Sequence, residues 1–334
     1  MLSSKLRDGN VKQAILLLVT AIVAGLGTGE EATAQAYPTR PITLVVPVAP
    51  GGGADAIARV VADRISKVLG QPVVVENRPG GNGTIATRQI ARSAPDGHTL
   101  GIGMSATLST APTAMSNVGY DPRRDFSPVG LIAVSPLIVT LHPSLPAQSI
   151  QELIALAKRD PGRLNYASGG TGSPTHLAPE LFASMTGIKI IHIPYKGTGP
   201  AITDLLGGHV SMAFTSLPPA VGVVRDGRLR AVAVTGARRS VIFPDLPTIA
   251  ESGWPDYEAA PRYGIIAPAH TPRDIIRILS SALREALASE GVKARITSDG
   301  AEPLGSTPEE YADDIDREET KWSRIIKQVG IKLP

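Results

Sequence analysis

Four glycine-rich stretches contain the residues of this sequence that are best suited to bind a ligand. They occupy residues 49–53, 77–83, 168–173 and 196–199, two in each half of the chain. Glycine lets a ligand approach the backbone closely, and a loop that leads into a helix offers free N–H groups beside the positive end of the helix dipole. Such loops bind a small anion without a charged side chain, although each loop taken alone is also consistent with a simple tight turn.

Hydroxyl groups are concentrated in and just after the third stretch, at Ser168, Thr171, Ser173 and Thr175. They can donate hydrogen bonds to a carboxylate, or they can cap the helix predicted to start near Thr175. The two roles are compatible, so we expect this loop to take part in binding.

Two charged residues lie beside the stretches. Asp55 falls in the first turn of a predicted helix, where its charge suits the helix dipole but repels an anion. A structural role for Asp55 is therefore favoured unless the ligand carries an amine. Lys196 is the best-placed cation beside a candidate loop, and its alternative role is that of a solvated surface lysine.

The sequence lacks the motifs that bind other classes of ligand. No Gly-Lys-Ser/Thr follows the glycines at P-loop spacing, and residues 170–175 lack the third glycine of a dinucleotide fingerprint. The chain has no cysteine, and its six histidines are scattered without an H-x-x-x-H pair, so we expect no metal site and no cofactor. Interspersed charges with a net charge of +3, and only 4% aromatic residues, argue against a nucleic-acid partner.

Ser105 is the main catalytic candidate. It lies in Gly103-Met104-Ser105-Ala106-Thr107 after a predicted strand, an arrangement similar to a nucleophile elbow in which Thr107 replaces the second glycine. A secreted serine hydrolase is therefore the enzymatic alternative to a non-catalytic binding protein.

Alternating strands and helices must position these loops. Strands are predicted over residues 42–48, 73–75, 99–102, 129–141 with a break at 135–136, 164–167, 188–193, 210–214 and 231–235. Helices are predicted over residues 54–69, 84–92, 150–157, 175–185, 200–206, 272–288 and 308–329, and Gly70 is the predicted C-cap of the first. Residues 108–124 are predicted to form a loop, and residues 254–268 an extended segment. This order predicts an α/β fold of two lobes, each a mainly parallel sheet flanked by helices, with the glycine-rich loops at the strand ends where ligands bind.

The first 36 residues have the organisation of a secretory signal peptide. Lys5, Arg7 and Lys12 precede an uncharged, mostly apolar run over residues 14–27, which is shorter than the roughly 20 residues of a membrane span. Small residues then lead to Ala34-Gln35-Ala36, so cleavage is predicted after Ala36 or, alternatively, after Ala34. The predicted product is a soluble periplasmic protein, and its length favours two domains.

Longer motifs run along the whole predicted mature chain. Those of the first half are Tyr37-Pro38-Thr39-Arg40-Pro41-Ile42, Pro50-Gly51-Gly52-x-x-Asp55 and Glu76-Asn77-Arg78-Pro79-Gly80-Gly81-Asn82-Gly83. Those of the second half are Tyr166-Ala167-Ser168-x-Gly170, Thr175-His176-Leu177-Ala178, Pro194-Tyr195-Lys196-Gly197-x-Gly199-Pro200-Ala201, Pro244-Asp245-Leu246-Pro247-Thr248 and Ala267-Pro268-x-x-Thr271-Pro272. Together they resemble the Bug receptors, which are substrate-binding proteins related to tripartite tricarboxylate transporters.

The resemblance implies a type II periplasmic-binding-protein fold, in which two lobes joined by two crossing strands close on a ligand. Lobe 1 is expected to comprise residues 37–136 and 251–334, and lobe 2 residues 137–250. The expected partners of this monomer are a small carboxylate and either membrane transporter subunits or a sensor kinase.

In this family, backbone and hydroxyl groups of the strand-to-helix loops hold a ligand carboxylate. The residues carried over are Gly51, Gly52, Ser105, Ser168, Thr171, Ser173, Thr175 and Ser216. The predicted ligand-binding set also includes Gly53, Asp55, Gly81, Gly170, Lys196, Thr215 and Arg262. The chain departs from the family pattern at Val48, at Thr215-Ser216 and at Arg262, and Arg262 is predicted to add a second anion contact.

Overall fold

The computed structural model describes residues 37–51 and 53–333. The predicted signal peptide, Gly52 and Pro334 therefore lie outside the described residues. Residues from Arg40 onward form one compact unit, to which both lobes and the candidate site belong.

The strands are short and mostly buried. They are β1 (Ile42–Val46), β2 (Val73–Asn77), β3 (Thr99–Met104), β4 (Phe126–Val134), β5 (Leu137–Leu141), β6 (Asn165–Ser168), β7 (Ile191–Pro194), β8 (Met212–Ser216), β9 (Arg230–Val234), β10 (Arg262–Pro268) and β11 (Glu302–Pro303). Within the described residues they form two sheets, of strand order β11-β4-β10-β3-β1-β2 and β7-β6-β8-β5-β9. Each sheet with its helices is called a lobe below.

Helices follow most strands and cover the sheets. They are α1 (Gly53–Leu69), α2 (Thr84–Ala91), α3 (Ala111–Ala114), α4 (Ile150–Arg159), α5 (Pro174–Thr186), α6 (Thr198–Leu206), α7 (Leu217–Arg225), α8 (Arg273–Ala288), α9 (Glu290–Ser298) and α10 (Pro308–Val329). None of these described helices has the length and apolar content that a membrane span requires.

Strand pairing makes both sheets mixed. In the first sheet β2 and β3 run parallel to β1, whereas β10 runs antiparallel to β3 and β4. In the second sheet β7 and β8 run parallel to β6, whereas β5 runs antiparallel to β8 and β9. The predicted α/β class with two lobes is confirmed, and each sheet is mixed because one strand beside an interlobe connection, β10 in the first sheet and β5 in the second, runs against its βαβ strands.

Two connections between the lobes lie side by side in the described chain. Two residues separate the end of β4 in the first sheet from the start of β5 in the second. The chain returns just before β10, and there the Ser135 N–H donates a hydrogen bond to the Pro261 carbonyl at 2.8 Å. This bond ties the outgoing connection to the returning one.

Helix α10 packs against both lobes. Tyr311 and Ile315, in its first half, belong to the core of the first sheet. Trp322 and Ile325, in its second half, belong to the core of the second sheet. These positions share one helical face, so a single apolar stripe spans the connection between the lobes.

Three helical segments were not predicted. Residues 108–124 were predicted as a loop, but a π-helical turn at Ala106–Thr110 leads into α3. No element was predicted for helix α7, which carries Pro218 and Pro219 in its first turn, where a helix tolerates proline. Helix α9 has only Val292 and Ile296 buried, so its amphipathic pattern is weak.

Candidate functional site

A cavity of 420 Å³ opens between the two lobes. The described residues that line it are Gly51, Gly53, Ala56, Ile57, Ser135, Thr198, Ser216, Pro218, Pro219, Tyr263, Arg295, Asp299 and Ala301. They come from the first lobe, from the interlobe connections and from the second lobe. The volume is within the range of small-molecule sites.

Three described helices begin at this cavity. Gly53 is the first residue of α1, Thr198 is the first residue of α6, and Ser216 is the N-cap of α7. The Ser216 hydroxyl makes no capping hydrogen bond, and the first N–H groups of a helix have no intrahelical acceptor. The cavity therefore presents N–H donors and positive dipole ends from both lobes, an arrangement that binds a carboxylate.

Asp55 shapes the loop that precedes α1. The residue is 3% exposed, and its Oδ2 accepts hydrogen bonds from the Gly51 N–H at 2.9 Å and from Arg59 Nε at 3.0 Å. Asn77 Nδ2 donates to Oδ1 at 2.8 Å. Burial would raise the pKa of Asp55, but the hydrogen bonds from Arg59, Gly51 and Asn77 outweigh it and lower the pKa below 3.8. These contacts fit the structural role, and Asp55 is not among the cavity-lining residues.

The hydroxyl groups of the second lobe that were predicted to bind a ligand form hydrogen bonds mainly within their own loop. Ser168 is 1% exposed, and its Oγ lies 2.6 Å from His192 Nε2 and accepts a hydrogen bond from the Gly170 N–H at 3.1 Å. Thr175 Oγ1 accepts from the Gly169 N–H at 2.8 Å and lies 2.8 Å from Ser173 Oγ. These residues do not line the cavity, and neither does the exposed Thr171. The loop that contains them supports the site indirectly, because the Gly197 N–H just before α6 donates a hydrogen bond to the Gly169 carbonyl at 3.2 Å.

The remaining predicted residues are dispersed, and Gly52 lies outside the described residues. Lys196 is exposed and Gly81 starts a 3-10 turn, and neither lines the cavity. Ser105 accepts a hydrogen bond from the Arg262 N–H at 2.9 Å, and no histidine of the described chain is bonded to it. Thr215 is buried beside the cavity, and its hydroxyl has no hydrogen-bond partner among the described residues.

Arg262, which was predicted to add a second anion contact, is not among the described residues that line the cavity. Its guanidinium lies 2.8 Å from Glu258, 3.0 Å from Asp314 and 3.3 Å from Glu318. Glu318 also accepts a hydrogen bond from Trp322 Nε1 at 2.8 Å. The carboxylates neutralise the arginine, and the cluster ties the start of β10 to the middle of α10.

Several cavity residues were not recognised from the sequence. Ser135 had a signal, because it interrupts an apolar run, and Thr198 falls within a predicted loop. Arg295 and Asp299 had no such signal in the sequence, because α9, which contains Arg295 and ends just before Asp299, was not predicted. Burial raises the pKa of Tyr263, so its hydroxyl stays protonated and can donate a hydrogen bond at the cavity.

A stack of rings supports the Ser168 loop. The rings of His176 and His192 are 3.8 Å apart, and the ring of Tyr166 lies 5.1 Å from that of His192. His176 Nδ1 accepts a hydrogen bond from the Gly172 N–H at 3.0 Å, which requires an unprotonated nitrogen. Burial, with a smaller contribution from His192, lowers the pKa of His176 from 6.5 to about 4.

Acidification is expected to destabilise the protein through His176. Between pH 6.5 and about 4 the unfolded chain binds a proton here that the folded protein does not, so stability is lost as the pH falls through this window. The loss is at most about 1.4 kcal/mol per pH unit. Urea unfolding at pH 7, 5.5 and 4.5 should show a smaller loss for His176→Asn, which keeps an acceptor but cannot titrate. Parallel profiles for the two proteins would contradict this assignment.

A larger cavity of 780 Å³ lies on the outer face of the first lobe, among α8, α10 and the start of β4. It contains none of the predicted ligand-binding residues and receives no residue from the second lobe. In the described residues no cluster of histidine, aspartate and glutamate side chains is arranged to hold a metal ion. The interlobe cavity is therefore the better candidate for the principal ligand site.

Comparison with known proteins identifies the family of this chain. A model of the tripartite tricarboxylate transporter family receptors matches residues 57–331. Protein BugT of Bordetella pertussis is 39% identical over 320 residues, which cover 96% of this chain and 98% of BugT. These matches confirm the resemblance to the Bug receptors.

Solved structures of relatives confirm the two-lobed fold. An R. palustris protein with adipate is 38% identical, with a TM-score of 0.76 over 89% of this chain and 99% of its own. MatC from Rhodopseudomonas palustris with bound malate is 32% identical, with a TM-score of 0.72 over 87% of this chain and 100% of its own.

Proposed function

This chain belongs to the family of tripartite tricarboxylate transporter receptors, and from that premise we propose that it captures a small organic carboxylate in the interlobe cavity. Members of the family are periplasmic solute-binding receptors rather than enzymes. The ligand would then pass to membrane subunits of a tripartite tricarboxylate-type transporter. The adipate and malate of the two relatives support a carboxylate as the ligand.

The convergence of helix starts on one cavity carries this proposal. Gly53 at α1, Thr198 at α6 and Ser216 at α7 line the same 420 Å³ space. Each helix start contributes N–H donors whose partial positive charge favours an anion, and glycine at position 53 leaves room for close approach. A carboxylate held there would touch both lobes at once.

Binding would be coupled to closure of the lobes. We assign residues 37–136 and 251–334 to one lobe and residues 137–250 to the other, with the paired connections near Ser135 and Pro261 as the hinge. A ligand that contacts both lobes favours the closed state, because only that state offers all of its contacts. The receptor would act as a monomer in the periplasm after removal of the signal peptide.

A thermal-shift screen with carboxylates tests the proposal. At a concentration of about 100 times its Kd, the true ligand is expected to stabilise the mature protein by about 2.7 kcal/mol. For a chain of this size that corresponds to a rise in Tm of about 4 °C. The screen should contain di- and tricarboxylates, acidic amino acids and aromatic acids.

The matching amides of the same compounds serve as controls, since they keep size and polarity but carry no charge. An absence of any shift across all carboxylates, or equal shifts with the neutral amides, would count against a carboxylate receptor.

A further inference from the structure

The interlobe cavity contains one cation and one carboxylate among its described lining residues, Arg295 and Asp299. The other described residues that line it carry no charge at neutral pH. The three helix starts can satisfy one carboxylate group without any charged side chain. Arg295 is thus an additional positive charge in the cavity that binding of a monocarboxylate does not require.

Arg295 is only weakly bound to the protein. Its Nη1 lies 3.4 Å from Asp299 Oδ1 and 3.4 Å from Ser298 Oγ, and its side chain is 55% exposed. Strong contacts between a guanidinium and a carboxylate are about 2.7–2.9 Å long. Arg262, by comparison, is surrounded by carboxylates and only 11% exposed. Arg295 is therefore free to exchange its contact with Asp299 for a contact with a ligand.

We propose that Arg295 binds the second carboxylate of a dicarboxylate ligand and so determines specificity for dicarboxylates over monocarboxylates. This inference rests on the proposed function, in which the helix starts hold the first carboxylate. The planar guanidinium can form two parallel hydrogen bonds to a carboxylate, which gives it both strength and geometric selectivity. Asp299 holds the side chain at the cavity in the free receptor.

The position of Arg295 in α9 favours this role. It lies in the last turn of the helix, where the negative end of the dipole stabilises a cation. Val292 and Ile296, the buried residues of the same helix, fix the backbone while the arginine side chain extends outward. Packing therefore holds the helix backbone in place, whereas the arginine side chain is largely exposed.

The experiment compares matched ligands on matched variants by calorimetry at low ionic strength. The probes are the dicarboxylates malonate, succinate, glutarate and adipate, each with the monocarboxylate of equal chain length from propionate to hexanoate. The variants are Arg295→Gln and Lys293→Gln. Lys293 lies on the same helix, pairs with Glu290 at 2.9 Å and does not line the cavity, so its loss controls for net charge.

For the dicarboxylate that binds best, Arg295→Gln is expected to weaken binding about tenfold or more, as for the loss of hydrogen bonds to a charged group. The affinity of Arg295→Gln for the matching monocarboxylate is expected to change about twofold or less. Lys293→Gln is expected to change the affinity for neither ligand.

Three results would overturn the inference. An equal loss for both ligands in Arg295→Gln would show a general electrostatic effect, and no loss would show that the ligand does not contact Arg295. Tighter binding of 6-aminohexanoate than of adipate to the wild type would assign the charged pair to an amine through Asp299. If no carboxylate binds the wild type at all, the proposed function itself fails, whereas carboxylate binding without a dependence on Arg295 defeats only this inference.

Discussion

Arg262→Ala is expected to lower the free energy of unfolding by about 3 kcal/mol, the lower end of the cost of removing one partner of a buried ion pair. Three carboxylates, from Glu258, Asp314 and Glu318, lie within 3.3 Å of this guanidinium. Burial would lower the pKa of Arg262, but the attraction of Glu318, Asp314 and Glu258 outweighs it and raises the pKa, so the arginine is charged. Its removal leaves the three carboxylates without their shared partner, although Arg317 still contacts Asp314 and Lys321 still contacts Glu318.

Equilibrium unfolding in urea measures this effect, with Arg317→Ala as the control. Arg317 also contacts Asp314, at 3.3 Å, but its side chain is 69% exposed, so a loss of less than about 1 kcal/mol is expected. The folded Arg262→Ala protein should retain its affinity for carboxylates. A variant of normal stability that has lost its affinity would instead restore Arg262 as a ligand contact.

Gly53→Trp is expected to reduce carboxylate affinity by more than about a thousandfold, or about 4 kcal/mol, with the fold retained. Gly53 starts α1 and lines the cavity, and no heavy atom lies within 4 Å of the position that a Cβ would take. Its φ is outside the left-handed region, so a side chain introduces no backbone strain. The indole would occupy the space that the ligand needs in order to reach the helix start.

The matched control is Gly291→Trp. Gly291 lies in the first turn of α9, is exposed and also has open space around its Cβ position, but it does not line the cavity. Calorimetry on both variants, with circular dichroism to verify folding, should show loss of binding in Gly53→Trp alone. Wild-type affinity in a folded Gly53→Trp protein would place the ligand site elsewhere.

The sequence by itself determined most of the order of strands and helices and the two-lobed α/β fold. Local patterns were enough for this, because apolar periodicity and capping act over a few residues. Helix α10 was predicted with its observed ends, and Gly70 adopts the left-handed conformation expected of a C-cap, with φ of 68°. Gly51, Gly53 and Ser216 of the predicted set line the cavity, and each lies where the chain passes from a strand to a helix.

Only the tertiary structure decided which side chains are available to a ligand. Ser168 reaches His192, and Arg262 reaches Asp314 at a separation of 52 residues, so their hydrogen-bonding capacity is used by partners that no local pattern identifies. Arg295 lines the cavity from a helix whose amphipathic pattern is too weak to predict. Its ion-pair partner is Asp299, at 3.4 Å. Availability depends on whether a polar group is already satisfied, and that is a property of packing between remote segments.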